Sequence, residues 1–305
     1  MPTQVVEQAQ PLLSVIVPHK NASRFLAKLL NTIPNDPRIE VIVIDDASET
    51  AEVEALRRIA FAPHWKLELL SQSGFAGHAR NVGLELAKGT WIAFADADDC
   101  FTCEFPDAVY PYLHREDIDI VYFDVASVDT TGRPSYRHIP YSQLVADYLS
   151  GRKPEAYIRH MHTPPWGKII RREFLLSRNI RFKEIPASND IEFSVISGNL
   201  ARAIEVSAHV IYSITQRSGS ITSTISTENL LSKFYAALRV NKFLRESRNS
   251  KFQHSILYFM YRAWTFDRLL ALKMLMRSIA EGNNPLIGAS KIVNYREVIR
   301  KRESR

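Results

Sequence analysis

At 305 residues, with 46% hydrophobic and 24% charged residues, the chain has the composition of an ordinary globular protein, large enough for one big domain or two small ones. No internal repeat or low-complexity tract is present, and no uninterrupted apolar run reaches the ~18 residues of a membrane-spanning helix. The formal charge of +6 is unevenly spread: from Glu228 onward there are 16 Lys+Arg against 6 Asp+Glu, and the remainder is net acidic. A basic C-terminal region on an acidic body implies peripheral contact with phosphates or an anionic membrane surface, unless its charges only solvate helical faces. Nucleic acid is not an expected partner.

Residues 1–11 are polar and Gln-rich. They lack the basic start and apolar core of a signal peptide, so a flexible terminus and a cytoplasmic protein are expected, peripheral on the inner membrane face if the basic region docks there. Residues 12–17 form a short, β-branched apolar run stopped by Pro18, the pattern of a buried strand. His19, Lys20 and Asn21 follow its carboxyl end. Residues 22–32 carry Phe25, Leu26, Leu29 and Leu30 on one helical stripe, which Pro34 and Pro37 terminate. A second strand over 39–44 runs into Asp45 and Asp46; residues 51–60 are helical in pattern and 66–70 a weaker strand. Residues 74–77 contain two glycines and read as a flexible loop before a helix over 78–87, with Gly89 as its C-cap. Residues 91–95 form a fourth strand ending in Asp96, Asp98 and Asp99.

A helix over 105–114, a strand over 118–125 and a hairpin connection over 129–133 extend the pattern. Beyond about residue 140 the spacing predicts helices over 141–150, 171–177 and 187–199, an irregular stretch over 161–168, a strand over 208–213 and a polar loop over 216–222. From 227 the chain reads as mostly helical. There Lys251, Arg262 and Lys273 recur every eleven residues, close to three turns, and so would share one face of a continuous helix. That face is either the wet side of a core helix or an interfacial surface. Cys100 and Cys103 are the only cysteines. They follow an acidic strand end rather than opening a thioredoxin-like unit, and no second pair completes a zinc site, so two reduced thiols are expected.

Strands alternating with helices predict right-handed βαβ units and a mainly parallel sheet covered on both faces. In such a sheet the polar groups after the first, second and fourth strands gather on one rim, where open α/β sheets bind ligands. Three carboxylates in four residues repel and lose hydration on folding, so the cluster needs a cation or many donors. It is either a solvated acidic turn or a site for Mg²⁺ or Mn²⁺ with a phosphate-bearing ligand. Of Asp45 and Asp46, one is suited to accept hydrogen bonds from a base or ribose. Arg80 could reach a phosphate or form a surface ion pair. No Gly-x-Gly-x-x-Gly, Walker or Gly-x-Ser-x-Gly motif is present. What is left is a nucleotide-diphosphate site that uses a metal in place of a glycine-rich loop.

These motifs resemble, in order, those of family-2 glycosyltransferases with the GT-A fold. The opening strand runs Leu13-Ser14-Val15-Ile16-Val17-Pro18-His19-Lys20-Asn21. Val43-Ile44-Asp45-Asp46-Ala47-Ser48 follows, then Gly77-His78-Ala79-Arg80-Asn81-Val82-Gly83-Leu84 and Ala95-Asp96-Ala97-Asp98-Asp99. Further on, Trp166-Gly167-Lys168-Ile169-Ile170-Arg171-Arg172-Glu173-Phe174-Leu175 is similar to the family's Trp-Asn-Lys segment, and Asn189-Asp190-Ile191-Glu192-Phe193 to its Glu-Asp-x-x-Phe motif. The resemblance implies a GT-A domain over 12–222, with a nucleotide-sugar half (12–130) and an acceptor half (131–222), followed by a basic helical region (223–305).

The resemblance also implies roles. Pro18, Lys20, Asn21, Asp46, Arg80, Asp96 and Arg217 would line the nucleotide, Asp46 at a base that is uracil in most relatives. Asp98, with Asp96, would hold Mn²⁺ or Mg²⁺. Asp190 would be the catalytic base, with Glu192 as fallback, and Trp166, Lys168 and Asn189 would face sugar or acceptor. Read from residues alone, Asp190 is a helix N-cap rather than a base, since Ser188-Asn189-Asp190 precedes an amphipathic run. Lys20 replaces a common Tyr, Gly167 an Asn and Asn189 a Glu. His160 and His162 are a further candidate metal ligand. The implied reaction is inverting transfer of a sugar, UDP-activated in this reading, to a glycan or lipid-linked acceptor in bacterial capsule or lipopolysaccharide assembly. A nucleotidyltransferase and an inactive sugar-nucleotide-binding scaffold are the alternatives.

Overall fold

The computed structural model describes residues 10–217 and 226–289. In chain order the elements are β1 (Leu13–His19), α1 (Ser23–Leu30), β2 (Ile39–Asp45), α2 (Thr50–Arg57), β3 (Lys66–Leu69), α3 (Phe75–Leu86), β4 (Trp91–Phe94), β5 (Cys100–Phe101), α4 (Phe105–Val109), β6 (Ile120–Asp129), α5 (Ile139–Leu149), α6 (Ala156–Met161), β7 (Lys168–Arg171), α7 (Arg172–Ser177), α8 (Asn189–Leu200), β8 (Ile204–Gln216), α9 (Thr227–Glu246), α10 (Leu257–Phe266) and α11 (Arg268–Ala280). One eight-stranded sheet runs β3-β2-β1-β4-β7-β6-β8-β5. Its first half, β3 to β4, is entirely parallel. In the second half β7 is antiparallel to both neighbours, β8 is parallel to β6, and β5 is antiparallel to β8.

The alternation along the central strands explains why they carry no polar face. Leu13, Val15 and Val17 of β1 and Ile39, Val41 and Val43 of β2 enter one core with Leu26, Leu29 and Leu30 of α1. Ile16, Ile42 and Ile44 point the other way, into a second core with Ala79 and Leu84 of α3 and Phe193 of α8. Covering both faces makes the apolar runs continuous and brings the carboxyl ends of β1, β2 and β4 side by side.

Several expectations change. Residues 74–77 are not a flexible loop: α3 starts at Phe75, and the helix ends at Leu86 with Ala87 extended rather than at a left-handed Gly89. Gly89 instead lets the chain pass over β1, since a Cβ there would lie 2.6 Å from the backbone nitrogen of Ser14. Glu40, buried in β2, secures the crossing by accepting from Ser14 Oγ (2.6 Å) and the backbone N–H groups of Lys88 (2.5 Å) and Gly89 (3.2 Å). The helix expected over 105–114 ends at Val109, and Tyr110–Tyr112 is a 3₁₀ turn around Pro111. Strand β7 replaces an expected loop end and helix start, because two apolar residues between Lys168 and Arg171 display no period of their own. The hairpin after β6 closes as expected, with Gly132 at φ +86° and Asp129 N–H donating to the Arg133 carbonyl (2.8 Å).

After the sheet, α9 packs on α8 through Val195, Val240, Leu244 and Phe252, and α9, α10 and α11 share a core built on Phe234, Leu238, Ala263 and Met274. The proposed basic stripe is not a single face. Lys251 lies in a 3₁₀ turn, Arg262 in α10 and Lys273 in α11, and extended Asp267 breaks the last two helices apart. Residues 1–9, the polar loop beyond Arg217 and residues 290–305 of the basic tail lie outside the described residues. No described helix is long and apolar enough to cross a membrane.

Gly198 shows how tightly α8 is seated: a Cβ there would approach the Arg159 carbonyl oxygen to 2.0 Å. Gly198→Ala should therefore lower stability by about 1–3 kcal/mol, the overpacking cost outweighing a helix-propensity gain of ~1 kcal/mol. Urea unfolding of the two proteins measures it; a more stable variant would contradict this packing.

Candidate active site

The rim begins with a hydrogen-bonded floor. Buried His19, last in β1, joins Asp45 at the end of β2 (Nδ1–Oδ1, 2.8 Å) and accepts the Ala22 N–H on Nε2 (3.1 Å). With Nε2 accepting, the ring proton sits on Nδ1 and is donated to Asp45. Asp45 also accepts from the Ser48 N–H (3.0 Å) and hydroxyl (2.5 Å), and Ser48 Oγ accepts from the Asn21 N–H (2.8 Å). Asp45 is therefore the structural member of the acidic pair.

Asp46, also buried, turns toward the start of α3. Its carboxylate accepts from Ser73 Oγ (2.6 Å) and the backbone N–H groups of Gly74 (2.7 Å) and Phe75 (3.1 Å). Those amides open α3, whose N-cap has no local side-chain partner, so Asp46 caps the helix from another strand. Lys20 approaches the same cluster, donating to Ser73 Oγ (2.7 Å) with Asp46 3.6 Å away. Asn21, Ala47 and Phe75 adopt positive φ here and Ser188 does so before α8, so four of the six such non-glycine residues among the described residues ring the site, as strained backbone tends to do.

Each carboxylate after β4 has its own compensation. Asp96 accepts from Arg80 Nη2 (2.6 Å), and Arg80 Nη1 also donates to Asn189 Oδ1 on α8 (2.8 Å). Arg80 is buried, so this bridge fixes α3, the acidic loop and α8 together. Asp98 pairs with Arg217 at the end of β8 (2.7 Å), whose guanidinium also lies 5.0 Å from the Phe25 ring centre. Asp99, fully buried, accepts from the Tyr212 hydroxyl (2.9 Å) and the Thr215 N–H (2.7 Å), and the same hydroxyl accepts the Asp96 N–H (2.8 Å). Burial raises the Asp98 pKa, Asp96 adds to the rise and Arg217 opposes it. Burial, then the charges of Asp96 and Asp98, raises Asp99 well above the usual carboxylate range.

Asp190 differs from every other acid of the site. It sits in the first turn of α8, whose N-cap is left-handed Ser188 with no side-chain cap bond, so Asp190 is not the cap. No described residue gives its carboxylate a side-chain hydrogen bond or ion pair. Burial raises its pKa, with Arg80 pulling the other way. Glu192 is committed elsewhere, to Arg239 on α9 (2.8 Å) and more distantly Lys183 (3.8 Å).

The three residues expected at sugar or acceptor lie behind this surface. Trp166 is buried, stacked on Tyr212 (ring centres 5.7 Å apart) and edge-on to Tyr141. Lys168 is fully buried, donating to the His162 carbonyl (3.2 Å) and Ser194 Oγ (3.1 Å), and burial brings its pKa down to about 7. Asn189 is buried against Arg80. Gly167 has φ +69° with Val125 Cγ1 2.8 Å from where a Cβ would stand, which explains glycine at that position. His160 has both ring nitrogens engaged, with the Ala156 carbonyl (2.7 Å) and Asn199 Oδ1 (3.1 Å). His162 lies in an aromatic box of Tyr122, Tyr141 and Trp166. Cys100 and Cys103 are free thiols.

Among the described residues no group of three His, Cys, Asp or Glu could hold a metal ion unaided. A hard divalent ion on a diphosphate needs only one or two carboxylates, and Asp98 beside Asp96 supplies that donor set. Tyr212 is the site residue that the sequence reading missed. Its only signal is a tyrosine inside an apolar strand, whose hydroxyl needs a buried partner.

Residues 14–177 match the family described as Glycosyl transferase family 2. Among curated relatives, poly(ribitol-phosphate) beta-N-acetylglucosaminyltransferase TarS of Staphylococcus aureus is 25% identical over 273 residues, 84% of this chain and 44% of TarS. Succinoglycan biosynthesis protein ExoO of Rhizobium meliloti is 28% identical over 204 residues, 63% of this chain and 56% of ExoO. The chain thus spans about half the length of these relatives. Among solved structures, S. aureus TarS 1–349 in complex with UDP-GlcNAc superposes with a TM-score of 0.62 at 22% identity, covering 84% of this chain and 74% of that one. Mannosyltransferase PcManGT from Pyrobaculum calidifontis, in complex with GDP-Man and Mn²⁺, gives 0.54 at 17% identity, covering 94% and 85%. At such identities the structural likeness shows the fold, which is GT-A. With over half its length inside the family match, the chain belongs to glycosyl transferase family 2.

Proposed function

We propose that this chain is an inverting, metal-dependent glycosyltransferase that moves a sugar from a UDP-sugar to a glycan or lipid-linked acceptor in bacterial surface polysaccharide synthesis. The transfer unit is residues 12–222, with the nucleotide sugar on 12–130 and the acceptor on 131–222, working on the cytoplasmic side where nucleotide sugars are available. One observation carries the reading. Asp190, the one acid of the site with no side-chain partner among the described residues, stands on a helix that Arg80 ties to the acidic loop.

The residues divide the work as follows. The corner of Pro18, Lys20, Asn21 and Asp46 lines the nucleoside, with Asp46 already oriented by Ser73 and the start of α3. Asp98, with Asp96 beside it, would hold Mn²⁺ or Mg²⁺, which when bound would supply charge neutralisation for the diphosphate. Arg217, paired with Asp98 in the free protein, is placed to meet the diphosphate's negative charge as well. Asp190 accepts the proton of the acceptor hydroxyl as that oxygen bonds the anomeric carbon and the bond from that carbon to the diphosphate oxygen breaks. Burial favours a raised pKa, which makes Asp190 a stronger base than a solvated carboxylate. Lys168 and Trp166 position α8 and β8 rather than touch substrate; Asn189 orients Arg80. The UDP preference is supported by the similarity to TarS, whose solved complex holds UDP-GlcNAc.

Asp190→Asn should reduce turnover by roughly 10²–10⁴-fold without lowering thermal stability, because it removes a half-buried charge that no described side chain pairs. Glu192→Gln should keep turnover within a few-fold. Measuring UDP release with each variant separates them, and an active Asp190→Asn protein would remove the proposed base.

The direction of pH dependence follows from Asp190. A base acts only when deprotonated, and its pKa is raised above the ordinary 3.8. Turnover should fall as pH falls through that raised value, so the acid limb of kcat/KM lies above the usual carboxylate range. An acid limb at or below ordinary carboxylate pKa values would contradict it.

A further inference from the structure

The α10–α11 pair carries a surface that the transfer site does not use. On α11, Ala271, Met274 and Ser278 are buried. Leu269, Leu272, Met276 and Ile279 recur on the opposite side of the same helix at spacings of three and four, and are 62%, 48%, 71% and 57% exposed. Trp264 and Phe266 of α10 and Leu286 beyond α11 extend this stripe, so seven of the fourteen exposed large hydrophobics among the described residues fall between 264 and 286. A groove of about 590 Å³ runs along α10 and α11, lined by apolar residues such as Leu257, Met260, Leu275 and Pro285. Bare apolar surface gathered in this way marks a binding face.

The charges around it select the partner. At about 100° per residue, Arg268 flanks the stripe on one side, and Lys273 and Arg277 flank it on the other. Arg268 lies 5.6 Å from the Trp264 ring centre, and Arg277 is held by Glu281 (2.6 Å). Asp267 is occupied in capping α11 through the Leu270 N–H (2.9 Å). Face-to-face pairing with a second copy would set these cations against themselves. The chain's own residues 290–305 hold six Lys+Arg against two acids, the same sign again. An apolar stripe flanked by Arg268 on one side and by Lys273 and the Glu281-paired Arg277 on the other suits a surface that offers acyl chains beneath phosphates.

We propose that the α11 stripe, with Trp264 and Phe266, docks into the headgroup region of an anionic lipid bilayer. The inference stands on this surface alone and does not depend on the transfer reading. Its test is co-sedimentation of the full chain with vesicles of phosphatidylcholine alone and of phosphatidylcholine with phosphatidylglycerol. Binding should require the anionic lipid and weaken with salt. It should fall roughly tenfold or more in a Leu272→Glu/Met276→Glu variant, and also in an Arg268→Gln/Lys273→Gln variant that leaves the apolar stripe intact. Equal binding to both vesicles, or unchanged binding by either variant, overturns the proposal. So does a wild-type dimer that the Leu272→Glu/Met276→Glu variant turns into a monomer, which would make a second copy the occupant. Vesicle binding that appears only after residues 290–305 are removed would assign the groove to the chain's own tail and overturn it equally.

Discussion

Three carboxylates at the end of a buried strand are the constraint on which the rest of this structure depends. Left uncompensated, a buried charge costs about 3–5 kcal/mol, and here buried Asp99 has the half-buried Asp96 and Asp98 within four residues. The protein answers with donors from separate elements: Arg80 from α3 for Asp96, Arg217 from the end of β8 for Asp98, and Tyr212 with Thr215 from β8 for Asp99. Each donor pins its element to the rim. The acidic loop is thus the knot that fastens the two halves of the sheet, and its electrostatics and the fold's geometry are one problem.

The same economy extends outward. Arg80 spends its second nitrogen on Asn189, which sets the start of α8 and with it Asp190. Asp46 uses its carboxylate to open α3, the helix that delivers Arg80. A chain of charge-assisted contacts therefore runs from the end of β2 through α3 and the acidic loop to α8. Asp190 stands at its end with a raised pKa and no side-chain partner among the described residues, a costly arrangement that structural acids in this protein, such as Asp45 and Glu40, avoid by being hydrogen-bonded. A half-buried acid with a raised pKa, held in place by paired ones, suits the general-base role proposed for Asp190.

Much of this was legible in the residues. Continuous apolar runs ending in polar groups gave β1, β2 and β4 and their common rim, because burial on both faces leaves no other pattern. What escaped reading depended on contacts distant in sequence. The start of α3 is capped by Asp46, 28 residues before Gly74, so no local cap announced it. Strand β7 is four residues long and exists because β4 and β6 flank it. Tyr212 reads as one more apolar strand residue, and only the fold sets its hydroxyl between Asp96 and Asp99. The basic stripe failed for the opposite reason: an eleven-residue period means one face only if the helix is continuous, and Asp267 interrupts it.

The central claim is that the acidic loop, through Asp98, binds a nucleotide diphosphate together with a divalent ion. Isothermal titration of UDP into the protein with and without Mn²⁺ tests it most directly. The account predicts binding that weakens at least about tenfold when the ion is withheld and that Asp98→Ala abolishes, since the charges of diphosphate and carboxylates then go unneutralised. Binding of UDP that ignores both Mn²⁺ and Asp98→Ala, or no binding of UDP under either condition, would contradict it.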